Sequence, residues 1–388
     1  MSIDVGLEAQ KTLSGLTGNN NYKVCSNCLL DTSEPRITFD ADGVCNYCHQ
    51  YFDLKMPRHI SEQEKEQKLQ QVVAEIKQQG KGNQYDCIIG LSGGVDSSYV
   101  AWLVKKQLGL RPLAIHFDNG WNSELAVSNI EGICKSLDID LFTYVVNWLE
   151  FRDLQLAVLK AGVANAEIPT DHGIFATLYR QAKKFNIKYI VDGVNHATEF
   201  IRTDFTVSGW AYSDLKHLKA LHKKFGTIKL ETFPTLSLYR KAWMQKVVGL
   251  QQVSILDYVD YVKKDAVTVL QHELGWRSYG GKHHESLFTK WHQLVYLPVR
   301  FGFDKRRLHL SDLILSGQMT REEALEELKQ QPLNASQLKE LEEYVQKKLG
   351  LTEKEYQALL SSPPKSYKDF PNNERMMTMY KKIKKAGM

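Results

Sequence analysis

Between Tyr85 and Asn195 short apolar runs alternate with amphipathic stretches, and this alternation restricts the fold more than any other feature of the chain. YDCIIGLS, RPLAIHFDNG, DLFTYVV and IKYIVDGVN read as strands, the first as one buried on both faces. DSSYVAWLVKKQLG, SELAVSNIEGICKSLD and HGIFATLYRQAKKFN, which lie between them, read as helices. Strand–helix alternation predicts right-handed crossovers and a doubly wound parallel α/β sheet, with ligands at the carboxyl ends of the strands. A preceding helix is expected over 61–79, with Ser61 as N-cap, Glu64 completing a capping box and Gly80 ending it. After about residue 235 the pattern turns mainly helical and charged. The expected organisation is a loose tail over 1–22, a cysteine-rich module over 23–60, an α/β domain over 61–235 and a helical C-terminal part over 236–388.

LSGGVDSS falls where the first strand gives way to a helix. Gly93 and Gly94 permit positive φ and close backbone approach. Successive N–H groups and the helix N-terminus then form an anion-binding nest, to which Ser92, Ser97 and Ser98 add hydroxyls. No lysine follows Gly94, so the segment fails the pattern of loops that grip β- and γ-phosphates through a lysine. A nest without that lysine suits a pyrophosphate that leaves intact, with Asp96 placed to hold Mg²⁺ against it.

CSNC at 25–28 and CNYC at 45–48 form C-x2-C-x16-C-x2-C. Cys25, Cys28, Cys45 and Cys48 can close a tetrahedral thiolate site, and structural zinc is expected. An iron–sulfur cluster also uses four cysteines, and spacing leaves that choice open. His49 reads as a surface residue and Cys87 as core. Cys134, in GICKS, lies within a predicted helix and lacks the strand-to-helix turn of a glutaminase elbow.

The 388 residues are 43% hydrophobic and carry a net charge of +5. That excess permits an anionic substrate without demanding nucleic acid. No apolar run reaches the roughly 20 residues of a membrane span. The first twenty residues lack a basic n-region and an apolar h-region, so a cytoplasmic protein is expected. The basic end YKKIKKAGM reads as a solvated terminus.

SGGVDS resembles the signature of the PP-loop ATP pyrophosphatases, whose fold is adenine nucleotide alpha hydrolase-like. The resemblance implies ATP binding, adenylation of a carbonyl oxygen and release of pyrophosphate. It also implies adenosine contacts from His116 and Asp118 at the end of the second strand, and close approach of Gly193 to AMP. His116 reads equally as a packed strand histidine. Asn195 and Glu199 become substrate candidates, Glu199 equally a metal contact or a solvated carboxylate. In IPTDHGIF, Thr170 and Asp171 are helix caps by residue type, and Asp171 is a catalytic candidate.

The stretch from YGGKHHES to MTREEALEEL, with the knuckles, SGGVDSS and PTDHGIF, resembles the N-acetyl sugar amidotransferases of surface-polysaccharide pathways, the WbpG/PseA type. The likeness runs over roughly residues 23 to 345. It implies adenylation of a sugar N-acetyl amide, attack by ammonia and formation of an acetamidino group for lipopolysaccharide or O-antigen. Lys282, Arg300, Lys305, Arg306 and Arg307 are then candidates to meet phosphate or carboxylate of a nucleotide-activated sugar. The run 305–307 reads equally as a solvated helix face. His283, His284 and Glu285 are candidates for proton transfer, with Lys282 beside them. A partner glutaminase similar to that of the histidine-pathway synthase is implied as ammonia source, with a cyclase-like conduit. The alternative is a tRNA thiolation or lysidine enzyme, which would want a stronger basic footprint and catalytic cysteines near the loop.

Overall fold

The structure, a computed structural model, describes residues 22–53, 61–203 and 214–379. The tail expected over 1–22 falls outside these residues except for Tyr22, as do the end of the cysteine module and the basic terminus.

Five strands form one parallel sheet: β1 (Cys87–Gly90), β2 (Pro112–Asp118), β3 (Asp140–Val145), β4 (Tyr189–Asp192) and β5 (Gln251–Ser254). Their order is β3-β2-β1-β4-β5. The chain winds outward from β1 through β2 to β3, then crosses back to β4 and β5. The direction therefore reverses between β1 and β4, and a ligand crevice opens there at the carboxyl ends of the strands.

The helices are α1 (Asn46–Asp53), α2 (Glu62–Gln79), α3 (Val95–Trp102), α4 (Glu124–Leu137), α5 (Trp148–Ala161), α6 (Ile168–Lys184), α7 (Leu215–Phe225) and α8 (Leu238–Lys246). They continue with α9 (Lys263–Leu274), α10 (Leu287–Trp291), α11 (Leu297–Phe301), α12 (Lys305–Leu315), α13 (Arg321–Lys329), α14 (Ala335–Leu349) and α15 (Glu353–Ser361). The expected capping box of α2 is present in full. A π-helical turn, His292–Tyr296, links α10 to α11, a distortion that often marks functional sites.

Side-chain alternation along β1 builds the two faces of the sheet. Cys87 and Ile89 join α3, α4 and α9 in one core. Ile88 joins α6 in the other. The C-terminal helices share a third core with α5 and the cysteine module, through residues such as Tyr51, Phe151, Trp291 and Val345.

The expected boundary at 235 does not hold. β5 lies beyond it, in register with β4 from Tyr189↔Gln251 to Asp192↔Ser254. Ile255, Leu256, Leu270 and Trp276 then complete the core above β1. QQVS is an edge strand with a single apolar residue, so it leaves no apolar run to read.

Candidate active site

β1 ends at Gly90 and α3 starts at Val95, so LSGG makes the turn at the head of the crevice. Gly93 has φ +83°, and a Cβ there would lie 2.8 Å from the Ala126 carbonyl oxygen. Trp276 Nε1 and Tyr279 Oη both donate to the Gly93 carbonyl, at 2.8 and 2.7 Å. The backbone N–H groups of Ser92 and Gly94 donate to Ser97 Oγ and Ser92 Oγ, each at 3.2 Å. Ser92, Gly94, Asp96 and Ser97 line a small cavity of about 180 Å³ beside the larger crevice. Ser98 does not: it is fully buried and its hydroxyl has no partner.

Two lysines from elsewhere in the chain reach the loop cavity. Lys263 and Lys282 both line the loop cavity. Lys282 Nζ is 3.8 Å from Asp96 Oδ2 and 3.1 Å from Glu199 Oε1, and it donates to the Thr198 carbonyl at 2.7 Å. Burial alone would lower the Lys282 pKa, but Glu199 and Asp96 hold it above the usual value. Asp96 also accepts from Tyr261 Oη. Glu199 is itself held well below its ordinary value, because Lys282 and His283 outweigh its desolvation.

The segment Tyr279–Ser286 folds over the loop and supplies most of these contacts. His283 has φ +62° and meets Glu199 at 3.2 Å. Burial disfavours its charge, yet Glu199 and Glu285 push it up to about 9, so it is an imidazolium at neutral pH. Glu285 accepts from Ser92 Oγ at 3.2 Å and is buried. His284 lines neither cavity and is lowered to about 4, by burial and then by Lys290.

The larger cavity, about 490 Å³, runs from Leu91 and Ser92 across His116 to α6 and α12. His116 is wedged by its own hydrogen bonds: one ring nitrogen is 3.0 Å from the Leu91 carbonyl, the other 3.1 Å from Asn122 Nδ2. The carbonyl requires Nδ1–H as donor, so Nε2 accepts. Asp118 lines neither cavity; its carboxylate accepts from Gly120 N at 2.8 Å and shapes the following turn. Asn119 stands at the cavity instead and donates to Thr170 Oγ1 at 3.0 Å.

At the far end α6 presents two carboxyl groups one turn apart. The N-cap of α6 is Glu167, so Thr170 and Asp171 are not its caps. Pro169 in the first turn sets that start. Burial would raise Glu167, but His292, 3.5 Å away, Lys305 and the Thr289 hydroxyl bring it down to about 2. Asp171 is pushed up to about 7 by burial and then by the charge of Glu167. Lys305 and His309, one turn apart on α12, complete this wall.

Several candidates lie elsewhere. Asn195 is 1% exposed; its side-chain oxygen accepts from Ala197 N, Thr198 N and Thr198 Oγ1, closing a turn. Gly193, by contrast, lines the loop cavity and packs against Asp96, where a Cβ would come within 3.1 Å of the Asp96 carbonyl carbon. Arg300 is buried away from the cavity, donating to the Ser362 carbonyl at 3.0 Å and Tyr296 Oη at 3.3 Å. Arg306 pairs with Asp304 at 2.7 Å. Arg307 pairs with Asp31 at 2.9 Å and donates to the Leu29 carbonyl, clamping the cysteine module to α12. Consecutive residues of a helix point about 100° apart, so of the three basic residues only Lys305 reaches the cavity.

The four knuckle cysteines are buried and unpaired by disulfide, and their Sγ atoms all lie within 4.8 Å of one another. Neighbouring sulfurs are 3.5–3.7 Å apart. Four thiolates at the usual zinc–sulfur length of about 2.3 Å would be separated by about 3.8 Å, so a zinc ion fits. The Cys45 N–H, at 3.2 Å, and the Cys28 N–H, at 3.4 Å, point to Cys25 Sγ, as suits a thiolate. His49 is outside this cluster, paired with Asp40 at 2.7 Å. Cys134 lies inside α4, as expected, and Cys87 inside β1.

A glycine–serine loop without its own lysine, at the switch point of a parallel 3-2-1-4-5 sheet, defines an ATP-binding domain of the PP-loop kind. Residues 50–233 match the NAD synthase family, and residues 285–384 match the C-terminal domain of LPS biosynthesis protein WbpG-like proteins. A GMP synthase [glutamine-hydrolyzing] of Pyrobaculum aerophilum is 33% identical over 132 residues, 33% of this chain and 25% of that protein. The chain thus spans a quarter of the length of the curated relative it matches. An NMN synthetase structure from Francisella tularensis aligns with TM-score 0.33 and 14% identity, covering 76% of this chain and 98% of the other. An NH3-dependent NAD synthetase from Campylobacter jejuni aligns with TM-score 0.30 and 14% identity, covering 55% and 84%. The chain thus joins a PP-loop domain similar to the NAD synthase family to a C-terminal domain similar to that of WbpG-like proteins.

Proposed function

We propose that the protein adenylates the N-acetyl amide oxygen of a nucleotide-activated sugar and then lets ammonia displace AMP, giving an acetamidino sugar for lipopolysaccharide, O-antigen or another surface glycan. One observation carries this reading: a single cavity joins the phosphate loop to Thr289 and Lys305, which lie in the WbpG-like part of the chain. Part of the acceptor wall would therefore come from the part of the chain outside the NAD synthase match.

In this reading the loop and α3 hold the pyrophosphate, and His116 bounds the adenosine. Lys263 and Lys282 supply the positive charge the loop lacks. Asp96 would hold Mg²⁺, which neutralises the leaving pyrophosphate when bound. An amide oxygen is a poor leaving group until adenylated; afterwards AMP departs readily, so no protein nucleophile is required. Glu167, ionised at the far end, attracts a cation such as ammonium or a hydroxyl-rich sugar. A partner glutaminase, docked with or without a cyclase-like conduit, would supply ammonia in the cytoplasm. Among the described residues no cysteine lines the cavity, which a thiolation enzyme would want.

The test is direct. With ATP, Mg²⁺, ammonium and a panel of UDP- and CMP-linked N-acetyl sugars, mass spectrometry should show amide converted to amidine, one AMP per conversion. ADP and phosphate in place of AMP and pyrophosphate would overturn the mechanism. Asp96→Ala should abolish turnover with its melting transition retained.

A further inference from the structure

Addition of ammonia has a proton to dispose of, because ammonia is mostly ammonium at neutral pH and ammonium has no lone pair. Three imidazoles border the cavity: His116, His283 and His309. His116 has both nitrogens engaged, by the Leu91 carbonyl and Asn122. His283 is bound to Glu199 and faces Glu285, and already carries its proton. His309 differs from both. Among the described residues it has no hydrogen bond, and its one close ring neighbour is His283, 6.1 Å between centroids at 70°.

We propose that His309 is the catalytic base of the ammonia step, taking a proton from ammonium as ammonia attacks the adenylated amide carbon. This rests on the function proposed above. The position suits such a base, since His309 stands one turn from Lys305 on α12 and lines the same cavity as Glu167 and Asp171, whose carboxyls would draw ammonium in. Burial is the largest influence that keeps its ring neutral, and the nearby cations act with it. Lys282 and His283 from the covering segment, Lys305 from α12 and Lys263 from α9 all disfavour a protonated ring, as does burial. The acidic groups of the same region are Glu167 and Asp171 on α6, Glu199, Glu285 and Asp312. His309 therefore stays a neutral acceptor until ammonium gives up its proton.

The step balances. His309 removes one proton from ammonium and becomes imidazolium. The freed lone pair forms the carbon–nitrogen bond to the imidate carbon, and the carbon–oxygen bond breaks with its electron pair leaving on AMP. The three hydrogens of ammonia end on the two nitrogens of the amidinium product.

The experiment compares wild type with His309→Gln and His309→Asn in three assays. Pyrophosphate–ATP exchange with the accepted sugar, which reports adenylation alone, should be unchanged. Ammonium-dependent AMP formation at neutral pH should fall by about 10²–10⁴-fold. Raising the pH, or replacing ammonium by hydroxylamine, which is largely unprotonated at neutral pH, should restore most of the rate. Full ammonium turnover in both variants would overturn the proposal. So would equal loss of exchange, or failure of hydroxylamine to rescue. Histidine-selective NMR of the wild type supplies a substrate-free check: the resonance absent from His309→Gln should titrate below the ordinary value of about 6.5. A midpoint above it would overturn the proposal. Absence of exchange in the wild type with every sugar would instead remove the proposed function itself.

Discussion

Nζ of Lys282 stands 3.8 Å from Oδ2 of Asp96, so a lysine far along the chain brings a cation to the side of the glycine–serine loop. Lys282→Met should lower AMP formation by at least about 100-fold and weaken ATP binding. It should also cost about 3–5 kcal/mol of stability, since Glu199 and Asp96 lose their cation while largely buried. ATP titration by calorimetry and urea unfolding measure the two effects separately.

Gly93→Ala tests the turn itself. The substitution meets two obstacles, a left-handed backbone costing roughly 1–2 kcal/mol and a contact with the Ala126 carbonyl that only backbone movement relieves. ATP affinity should fall with stability. Gly132→Ala, inside α4 with open space around the new Cβ, should leave ATP affinity unchanged and raise stability by up to about 1 kcal/mol, and serves as control.

Asp171 gives a pH signature. Its folded pKa of about 7 exceeds the ordinary aspartate value of about 3.9. Its contribution is therefore most favourable in acid and is lost as pH rises from about 4 through about 7. Asp171→Asn removes that loss. At pH 8 the variant should be more stable than wild type by a few kcal/mol at most, with no gain at pH 4. Denaturant midpoints at the two pH values check the sign.

Arg307→Ala separates fastening from binding. Asp31, 4% exposed, would lose its ion pair, and the cost should be about 3 kcal/mol. The KM for the proposed sugar substrate should not move. A large rise in KM without loss of stability would instead return Arg307 to the substrate.

Metal analysis of the purified chain should find about one zinc ion per chain, lost in Cys45→Ser together with cooperative unfolding of the knuckles. Folded, metal-free wild type would exclude the assignment.

The sheet and the loop were legible because their signals are local. Apolar runs, glycines and a serine-rich turn are read within a dozen residues, and cysteine spacing within a single module. What failed was whatever tertiary contact decides. Asn195 and Asp118 are polar residues at strand ends, the usual dress of a site, yet both spend their side chains on their own turns. The 305–307 run looks like one basic patch, but the helix divides it between cavity, Asp304 and Asp31. Glu167 and His309 were missed. Their spacing to Asp171 and Lys305, one turn each on the same helix, was the signal available. β5 had none, because an edge strand of glutamine and serine has no apolar period.

α12 has two neighbours. Leu29 N–H donates to Ser311 Oγ at 3.0 Å and Arg307 grips the Leu29 carbonyl, so the knuckles rest on one side of this helix. Its other side carries Lys305 and His309 to the cavity of the candidate site. A chain starved of metal would thus lose the seat of its active-site wall without any change to the residues that touch ATP, and enzyme made under zinc limitation should bind nucleotide yet turn over poorly.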